Sequence, residues 1–152
     1  MQDENQLELV KILGEFKNDD GSSSMEGLRA TSLGNGLYEI KVIPIMTEGY
    51  HLFDVVRCKE FPNEDHCPVV TELVKRSAQQ TVGIIFPQDI DNEQKADVLW
   101  SLQQQATVNF DFLRISKTHC AISFHISDSD KIFSLLKATQ EKEKIQSYET
   151  LD

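Results

Sequence analysis

Residues 81–86 read Thr-Val-Gly-Ile-Ile-Phe, and Pro87 follows them. Such a continuous apolar run is typical of a central strand that is buried on both faces, and the proline ends it. Asp91 comes next with Gln94 three residues further on, which is the spacing of a capping box at the start of a helix. This stretch predicts a buried strand that runs into a capped helix, and it organises the C-terminal half of the chain.

The residues after Pro87 predict two helices and three more strands. Apolar residues at helical spacing mark the buried stripes: Val98, Leu99 and Leu102 in the first helix, and Ile132, Leu135 and Leu136 in the second. Residues 108–112 and 120–126 alternate as strands do, Ser127 with Asp130 predicts the second helix start, and residues 145–149 predict a last strand. The order β-α-β-β-α-β from residue 81 predicts a ferredoxin-like lobe.

The N-terminal half has the shorter rhythm of a small antiparallel sheet. Its β-prone segments are residues 7–16, 28–33, 37–45, 54–61 and 69–74. Asn35-Gly36 predicts a two-residue hairpin turn, because both central positions of that turn need positive φ. We therefore expect an α+β protein. A small bent antiparallel sheet or half-barrel over residues 1–79 would pack on the ferredoxin-like lobe over residues 80–152, as two lobes or as one integrated domain.

Composition and charge limit the classes of partner. The chain has 152 residues, of which 39% are hydrophobic and 26% charged, an ordinary globular balance. Its formal net charge of −10 makes nucleic acid and anionic membrane surfaces poor partners, because both are bound through Lys and Arg. No run approaches the roughly 18 apolar residues of a membrane span, and the acidic residues 1–5 lack the features of a signal peptide. We expect a cytoplasmic protein.

The residue types used in catalysis and metal binding occur without the spacing that either requires. A phosphate-binding Gly-rich loop, a nucleophile elbow and a His-Glu-x-x-His motif are all absent from the sequence. Cys58, His66 and Cys67 resemble a metal site, but a fourth ligand is missing and the spacing is wide for zinc. Cys58 and Cys120 fall on apolar strand faces, which favours core packing. We expect no enzymatic activity, no cofactor and no metal.

Acidic side chains cluster in the predicted loops and form most of the candidate partner-binding set. They are Glu64 and Asp65 in a loop of the N-terminal half, and Asp89, Asp91 and Glu93 where the first helix begins. Asp128 and Asp130 begin the second helix, and we expect both helix starts to share one end of the sheet. Some of this charge serves helix capping and the helix dipole. The surplus predicts an acidic rim that attracts a basic protein partner.

Trp100 completes the candidate set. It lies on the first predicted helix, off the spacing of Val98 and Leu102. Exposed tryptophans are frequent anchors of protein interfaces, whereas tryptophans in general are mostly buried. The sequence leaves both interpretations open, an anchor for a partner or a residue that packs beside the core or between the two lobes.

From residue 38 to residue 86 the sequence resembles an uncharacterised bacterial domain family of unknown function. The pattern is a Tyr-containing strand, Ile-Pro, a Gly, an Asp-Val-Val strand, then a Ser and a Thr before an apolar strand that ends in Phe. The corresponding residues are Tyr38, Ile43-Pro44, Gly49, Asp54-Val55-Val56, Ser77, Thr81 and Phe86. The second half is similar as well, with Tyr148 in its last segment, while Ala78 and Gly83 replace a Gly and a basic residue of the pattern.

This resemblance implies no established activity, but small acidic proteins of this kind are similar to immunity proteins of polymorphic toxin systems. Immunity proteins bind and block a cognate toxin in the cell that produces it. The first hypothesis is therefore an immunity protein whose acidic loops occlude the basic cleft of a cognate protein toxin. The alternative is a small-ligand-binding or regulatory module, because ferredoxin-like lobes often serve that way.

Overall fold

The computed structural model describes residues 8–151. The chain divides after Ser77 into two compact units, an N-terminal one built from strands and a C-terminal one built from strands and helices. The predicted α+β class is therefore confirmed. Residue 7, where the sequence predicts the first strand to begin, and the acidic residues 1–5 lie outside the described residues.

The N-terminal unit is a small barrel. Its strands are β1 (Leu9–Lys17), β2 (Ser23–Gly34), β3 (Leu37–Ile40), β4 (Val55–Glu60) and β5 (Pro68–Lys75). Each strand pairs antiparallel with the next, and a parallel pairing of Leu13 with Val69 joins β5 back to β1. The sheet is thus closed, whereas the sequence predicts a bent sheet or half-barrel. Closure pairs the two strands that would otherwise be open edges.

The β2–β3 hairpin turns at the predicted place. Asn35 and Gly36 connect the two strands, and their φ angles are 57° and 76°. Positive φ at both central positions is the requirement of the tight hairpin turn that Asn-Gly favours. The backbone N–H of Cys58 donates to the Gly36 carbonyl at 2.9 Å, which ties the turn to β4.

Gly36→Val should therefore destabilise the barrel by about 1 kcal/mol or more. A Cβ at this position would stand 3.3 Å from the Cys58 carbonyl oxygen, and a β-branched residue also resists positive φ. Urea unfolding of both proteins measures the change. Gly36→Asn is the matched control, because asparagine tolerates positive φ and should lose less stability. Equal midpoints for wild type and Gly36→Val would contradict this account of the turn.

The C-terminal unit consists of a four-stranded sheet and two helices that share one core. Its elements are β6 (Gln79–Ile85), α1 (Asn92–Gln105), β7 (Phe110–Arg114), β8 (His119–His125), α2 (Ser129–Glu141) and β9 (Ser147–Leu151). The strand order is β7-β8-β6-β9, and every neighbouring pair is antiparallel. The core gathers the buried residues of β6 and β8 with Val98 and Leu102 of α1 and Ile132 and Leu136 of α2. The apolar run at residues 81–86 is therefore a buried central strand, as predicted.

The two helix starts differ from each other. At α1 the capping box is confirmed, since the Gln94 amide donates to Asp91 Oδ1 at 2.8 Å and the Asp91 amide donates to Gln94 Oε1 at 3.1 Å. The start predicted for the second helix at Ser127 is wrong. Ser127 belongs to a short 3-10 turn, its amide donates to His125 Nδ1 at 3.1 Å, and α2 begins at Ser129.

Two residues that the alternating pattern assigns to strands lie outside them. Val108 precedes β7 and is 58% exposed, and Ile126 follows β8 in the 3-10 turn and is 55% exposed. Phe112 does lie in β7 but is 52% exposed, because β7 stands at the edge of the sheet. Alternation predicts which side chains share a face, whereas burial depends on what covers that face.

Candidate functional site

The loop from β6 to α1 forms an acidic shoulder, which we define as Asp89, Asp91 and Glu93. All three side chains are exposed. The loop is held from within, because the side chain of Ile90 is buried and its amide donates to the Pro87 carbonyl at 3.2 Å. Asp91 uses one carboxylate oxygen to cap the helix, and Glu93 lies in the first turn, where the helix dipole favours negative charge. The predicted cluster therefore lies on a segment that is held by a helix cap, a backbone hydrogen bond and the burial of Ile90.

Trp100 lies on the same helix and is 63% exposed. It follows Glu93 by seven residues, so both side chains lie on one face of α1, about 10 Å apart along the helix axis. Asp97, which is also exposed, lies one turn after Glu93 on that face. The exposure of Trp100 argues against packing of this side chain beside the core. Asp97 was not among the candidate residues predicted from the sequence. Its spacing of four residues from Glu93 could have shown that both carboxylates lie on the same helix face.

A groove of about 320 Å³ runs beside Trp100, between α1 and β7. Leu99, Trp100, Phe110 and Phe112 form its apolar walls. Its rim is basic and comprises Lys95, Arg114 and Lys117. We call these seven residues the aromatic groove. The sequence did not reveal it, because residues from a helix and from an edge strand meet there only after folding.

A second groove, of about 640 Å³, lies between α1 and α2. Asp97 and Ser101 line it from the first helix, and Thr139 and Lys142 line it from the second helix and its C-terminal end. The Thr139 hydroxyl is engaged, since it donates to the Leu135 carbonyl at 2.6 Å. Its lining combines apolar side chains with acidic and basic ones, so no single class of ligand is favoured.

The other predicted acidic pair, Glu64 and Asp65, lies in the β4–β5 loop of the barrel. It therefore belongs to a different unit from the acidic shoulder. Asn63 holds this loop, because its side-chain amide donates to the carbonyls of Phe61 and Cys67, each at 2.8 Å. Both carboxylates are exposed, and Lys11 Nζ lies 3.7 Å from Asp65 Oδ1, which partly offsets the local charge.

The acidic residues of the two helix starts do not share one end of the sheet, so that prediction is wrong. β6 and β8 are antiparallel, with Ile85 opposite His119 and Gln79 opposite His125. The helices that follow these strands therefore begin at opposite ends. Asp128 is also buried rather than presented, since it accepts hydrogen bonds from the amide and the hydroxyl of Thr107 at 2.9 and 2.8 Å.

The Asp128 bonds predict an acid-dependent loss of stability. The Thr107 amide, followed by its hydroxyl, lowers the pKa of the Asp128 carboxyl. A carboxyl with a depressed folded-state pKa stabilises the fold above its unfolded pKa, and the stabilisation disappears as the pH falls through the folded value. We expect Asp128→Asn to reduce stability at neutral pH and the difference from wild type to shrink as the pH falls below 4. Urea midpoints between pH 2 and pH 7 measure this, with the exposed Asp130→Asn as control. A difference independent of pH would contradict it.

Two of the three cysteines behave as core residues, whereas Cys67 is only partly buried. Cys58 and Cys120 are buried, and burial raises the pKa of each thiol to about 11. Both thiols therefore stay protonated at neutral pH. Because the thiolate is the reactive form of cysteine, neither is activated as a nucleophile. Over residues 8–151, no group of three or more His, Cys, Asp or Glu side chains is arranged to hold a metal ion.

Asp54 is the buried carboxylate of the barrel unit. It is fully buried, and it accepts hydrogen bonds from the amides of Ser77 and His51 at 2.6 and 2.8 Å. The Ser77 hydroxyl donates to the Leu52 carbonyl at 2.7 Å. Two residues of the family pattern, Asp54 and Ser77, thus meet in one hydrogen-bonded cluster. These contacts indicate a structural role, in which the end of the barrel segment is fastened to the loop before β4.

Comparison with known proteins shows the fold and no more. No family model matches the chain, and no curated protein matches it. A crystal structure of a hypothetical protein from Neisseria gonorrhoeae is similar, with a TM-score of 0.68 over 93% of each chain and 16% sequence identity. In the described part of the chain, no helix is long and apolar enough to cross a membrane.

Proposed function

We propose that this chain is an inhibitor of the immunity class, which binds a cognate bacterial toxin domain through helix α1 in the cytoplasm of the producing cell. The observation that carries the proposal is the placement of Glu93 and Trp100 on one face of a capped helix, with Asp89 and Asp91 exposed in the loop immediately before it. Such an arrangement combines charge that attracts a basic cleft with an aromatic side chain able to fill an apolar pocket in it. The class itself rests on the sequence resemblance.

The two parts of this surface would act on different steps of binding. Exposed carboxylates mainly accelerate the encounter with a positively charged partner, and salt screens them over about 8 Å at physiological ionic strength. A large aromatic side chain that is desolvated at the interface centre mainly slows dissociation. The rigid α1 scaffold supports this reading, because the capping box and the buried Val98 and Leu102 hold the helix in place.

We also propose that the C-terminal unit is a ferredoxin-like domain. The strand order β7-β8-β6-β9, the antiparallel pairing and the β-α-β-β-α-β sequence of elements all support this assignment. Such domains serve many unrelated functions, so the assignment by itself favours no particular activity.

The test uses a toxin domain encoded beside this chain, expressed with wild-type protein or with the variant Asp89→Asn, Asp91→Asn, Glu93→Gln. Asparagine at residue 91 retains the ability to cap the helix. We expect the association rate to fall about tenfold at low salt, its salt dependence to weaken, and protection from the toxin to decline. The matched control, Asp19→Asn, Glu48→Gln, Glu149→Gln, makes the same change in net charge at other exposed positions.

The location of the charges decides the outcome. If the two triple variants lower the association rate equally, net charge alone is responsible and the shoulder has no special role. If neither variant changes the rate or the protection, the proposed acidic contact is wrong. A purified complex that forms only with the wild type and the control would support it.

The alternative, a small-ligand-binding or regulatory module, has the aromatic groove in its favour. A volume of about 320 Å³ falls at the lower end of the range for ligand pockets. However, pockets bury most of a small ligand, whereas the walls formed by Trp100 and Phe112 are 63% and 52% exposed. The open shape therefore favours a macromolecular partner.

A further inference from the structure

The aromatic groove differs in charge from the rest of the chain. The whole sequence has 25 acidic and 15 basic residues, yet no Asp or Glu lines this groove, while Lys95, Arg114 and Lys117 do. Lys95 Nζ donates to the Lys117 carbonyl at 2.9 Å, which ties the helix to the β7–β8 turn at one end of the groove. A positive rim on an acidic protein can attract a negatively charged group that the remaining surface would repel.

The apolar walls of the groove are open to solvent. Trp100 and Phe112 are each more than half exposed, and Leu99 and Phe110 are partly buried beside them. Exposed aromatic side chains that lie together are typical of sites that bind protein partners. The ligand that fits therefore has apolar side chains that contact the walls and carboxylates that contact the rim.

The strand that borders the groove offers a free backbone edge. β7 pairs with β8 on one side, and among residues 8–151 no strand pairs with its other side. The Phe112 amide donates to the Asp111 carboxylate at 2.8 Å rather than to β8, so it faces outward. By the two-residue period of a strand, the backbone groups of Phe110 and Arg114 face the same way. An edge of this kind accepts an added strand.

We propose that the aromatic groove binds an extended segment of a partner protein, in which apolar side chains are flanked by carboxylates, and that this segment adds as a strand to the outer edge of β7. Its apolar side chains contact Trp100 and Phe112, and its carboxylates contact Arg114 and Lys117. In the free protein the Phe112 amide donates to the Asp111 carboxylate, and in the complex it donates to a backbone carbonyl of the partner segment instead. This inference goes beyond the proposed function, because it shares only Trp100 with the proposed toxin-binding face, relies on charges of the opposite sign and does not require the partner to be a toxin.

The test selects displayed random dodecapeptides on the full chain, with an excess of the soluble variant Phe112→Ser, Arg114→Glu, Lys117→Glu as competitor. The competitor removes peptides that bind elsewhere on the protein. We expect the enriched peptides to combine apolar residues with Asp or Glu. Enrichment of basic peptides, or failure to enrich any peptide that depends on the groove, would overturn the proposal.

Synthetic copies of an enriched peptide then separate the contributions. Phe112→Ser and Arg114→Glu should each weaken binding at least about tenfold, whereas Lys137→Glu, on the exposed side of α2, should not. Hydrogen exchange of the Phe112 and Arg114 amides should slow in the complex, as strand addition requires. Unchanged exchange at both amides would show that the peptide binds in another form, and the proposal would fail.

The same peptides distinguish this inference from the proposed function. The acidic-shoulder variant, Asp89→Asn, Asp91→Asn, Glu93→Gln, should bind them as the wild type does. If it does, loss of toxin protection in that variant and loss of peptide binding in the groove variants report on two different sets of charged residues, although both surfaces include Trp100. If neutralising the shoulder abolishes peptide binding, the groove is not an independent site.

Discussion

Replacing Asp54 by alanine is expected to lower the free energy of unfolding of the barrel unit by about 3 kcal/mol. The carboxylate is fully buried, and it accepts the Ser77 amide at 2.6 Å and the His51 amide at 2.8 Å. Hydrogen bonds to a charged acceptor contribute roughly 1.5–3 kcal/mol each, and alanine supplies no acceptor in its place. The Arg76 guanidinium, 3.8 Å from Asp54 Oδ2, loses its ion pair as well.

Hydrogen exchange of the β4 amides under increasing urea measures this loss within the barrel unit. Asp54→Asn keeps the size of the side chain and one carbonyl acceptor, so its loss should be about half that of alanine. Asp19→Ala, at an exposed acid, is the control and should change stability by less than about 0.5 kcal/mol. A stability of Asp54→Ala within that margin of the wild type would show that the buried carboxylate does not hold the barrel together.

Replacing Trp100 by alanine is expected to weaken binding of the cognate partner by about 2–4 kcal/mol, which is roughly 30-fold to 1,000-fold in Kd. The side chain is 63% exposed in the free protein, so it becomes buried only when a partner covers it. The loss should appear mainly in the dissociation rate, since an uncharged anchor does little to steer the encounter.

The exposure of Trp100 also predicts a stable variant. The free energy of unfolding of Trp100→Ala should lie within about 0.5 kcal/mol of the wild-type value, because most of the Trp100 side chain makes no contact with the core. Leu33→Ala, at a side chain that is 51% exposed in the barrel, is the matched control for loss of surface apolar area and should bind normally. Normal partner binding by Trp100→Ala would exclude this residue as an anchor and would leave the acidic shoulder as the remaining contact on α1.

Several elements could be identified correctly from the sequence because each is specified by residues only a few positions apart. The capping box of Asp91 with Gln94 and the Asn35-Gly36 turn both use hydrogen bonds or φ angles within one short segment. Ser127 shows the limit of such signals. Its spacing to Asp130 is right for a helix start, but its side chain and amide interact with His125 instead, and the helix begins two residues later.

Other roles depend on partners that are distant in the sequence. Glu26 alternates in β2 like a surface acid, yet its carboxylate accepts the amides of residues 45–47 and the Thr47 hydroxyl at 2.7–3.2 Å. Asp128 likewise serves Thr107, twenty-one positions before it. In both cases the residue type indicates a negative charge. Whether that carboxylate is exposed to a partner or accepts hydrogen bonds from a loop depends on the tertiary structure.

By itself the sequence determined the α+β class, the central buried strand, the first helix start, the hairpin turn, and the acidic charge and exposed loops from which the candidate residues were chosen. These features follow from composition, from local capping and turn motifs, and from periodicities of two and 3.6 residues, all of which a short segment carries by itself. Only the tertiary structure decided the closure of the barrel through Leu13 and Val69, the exposure of Trp100 and the assembly of the aromatic groove. It also decided that the two helix starts stand at opposite ends of the sheet. Each of these depends on which distant segments meet and in which direction they run, and that is settled by burial and strand pairing over the whole unit.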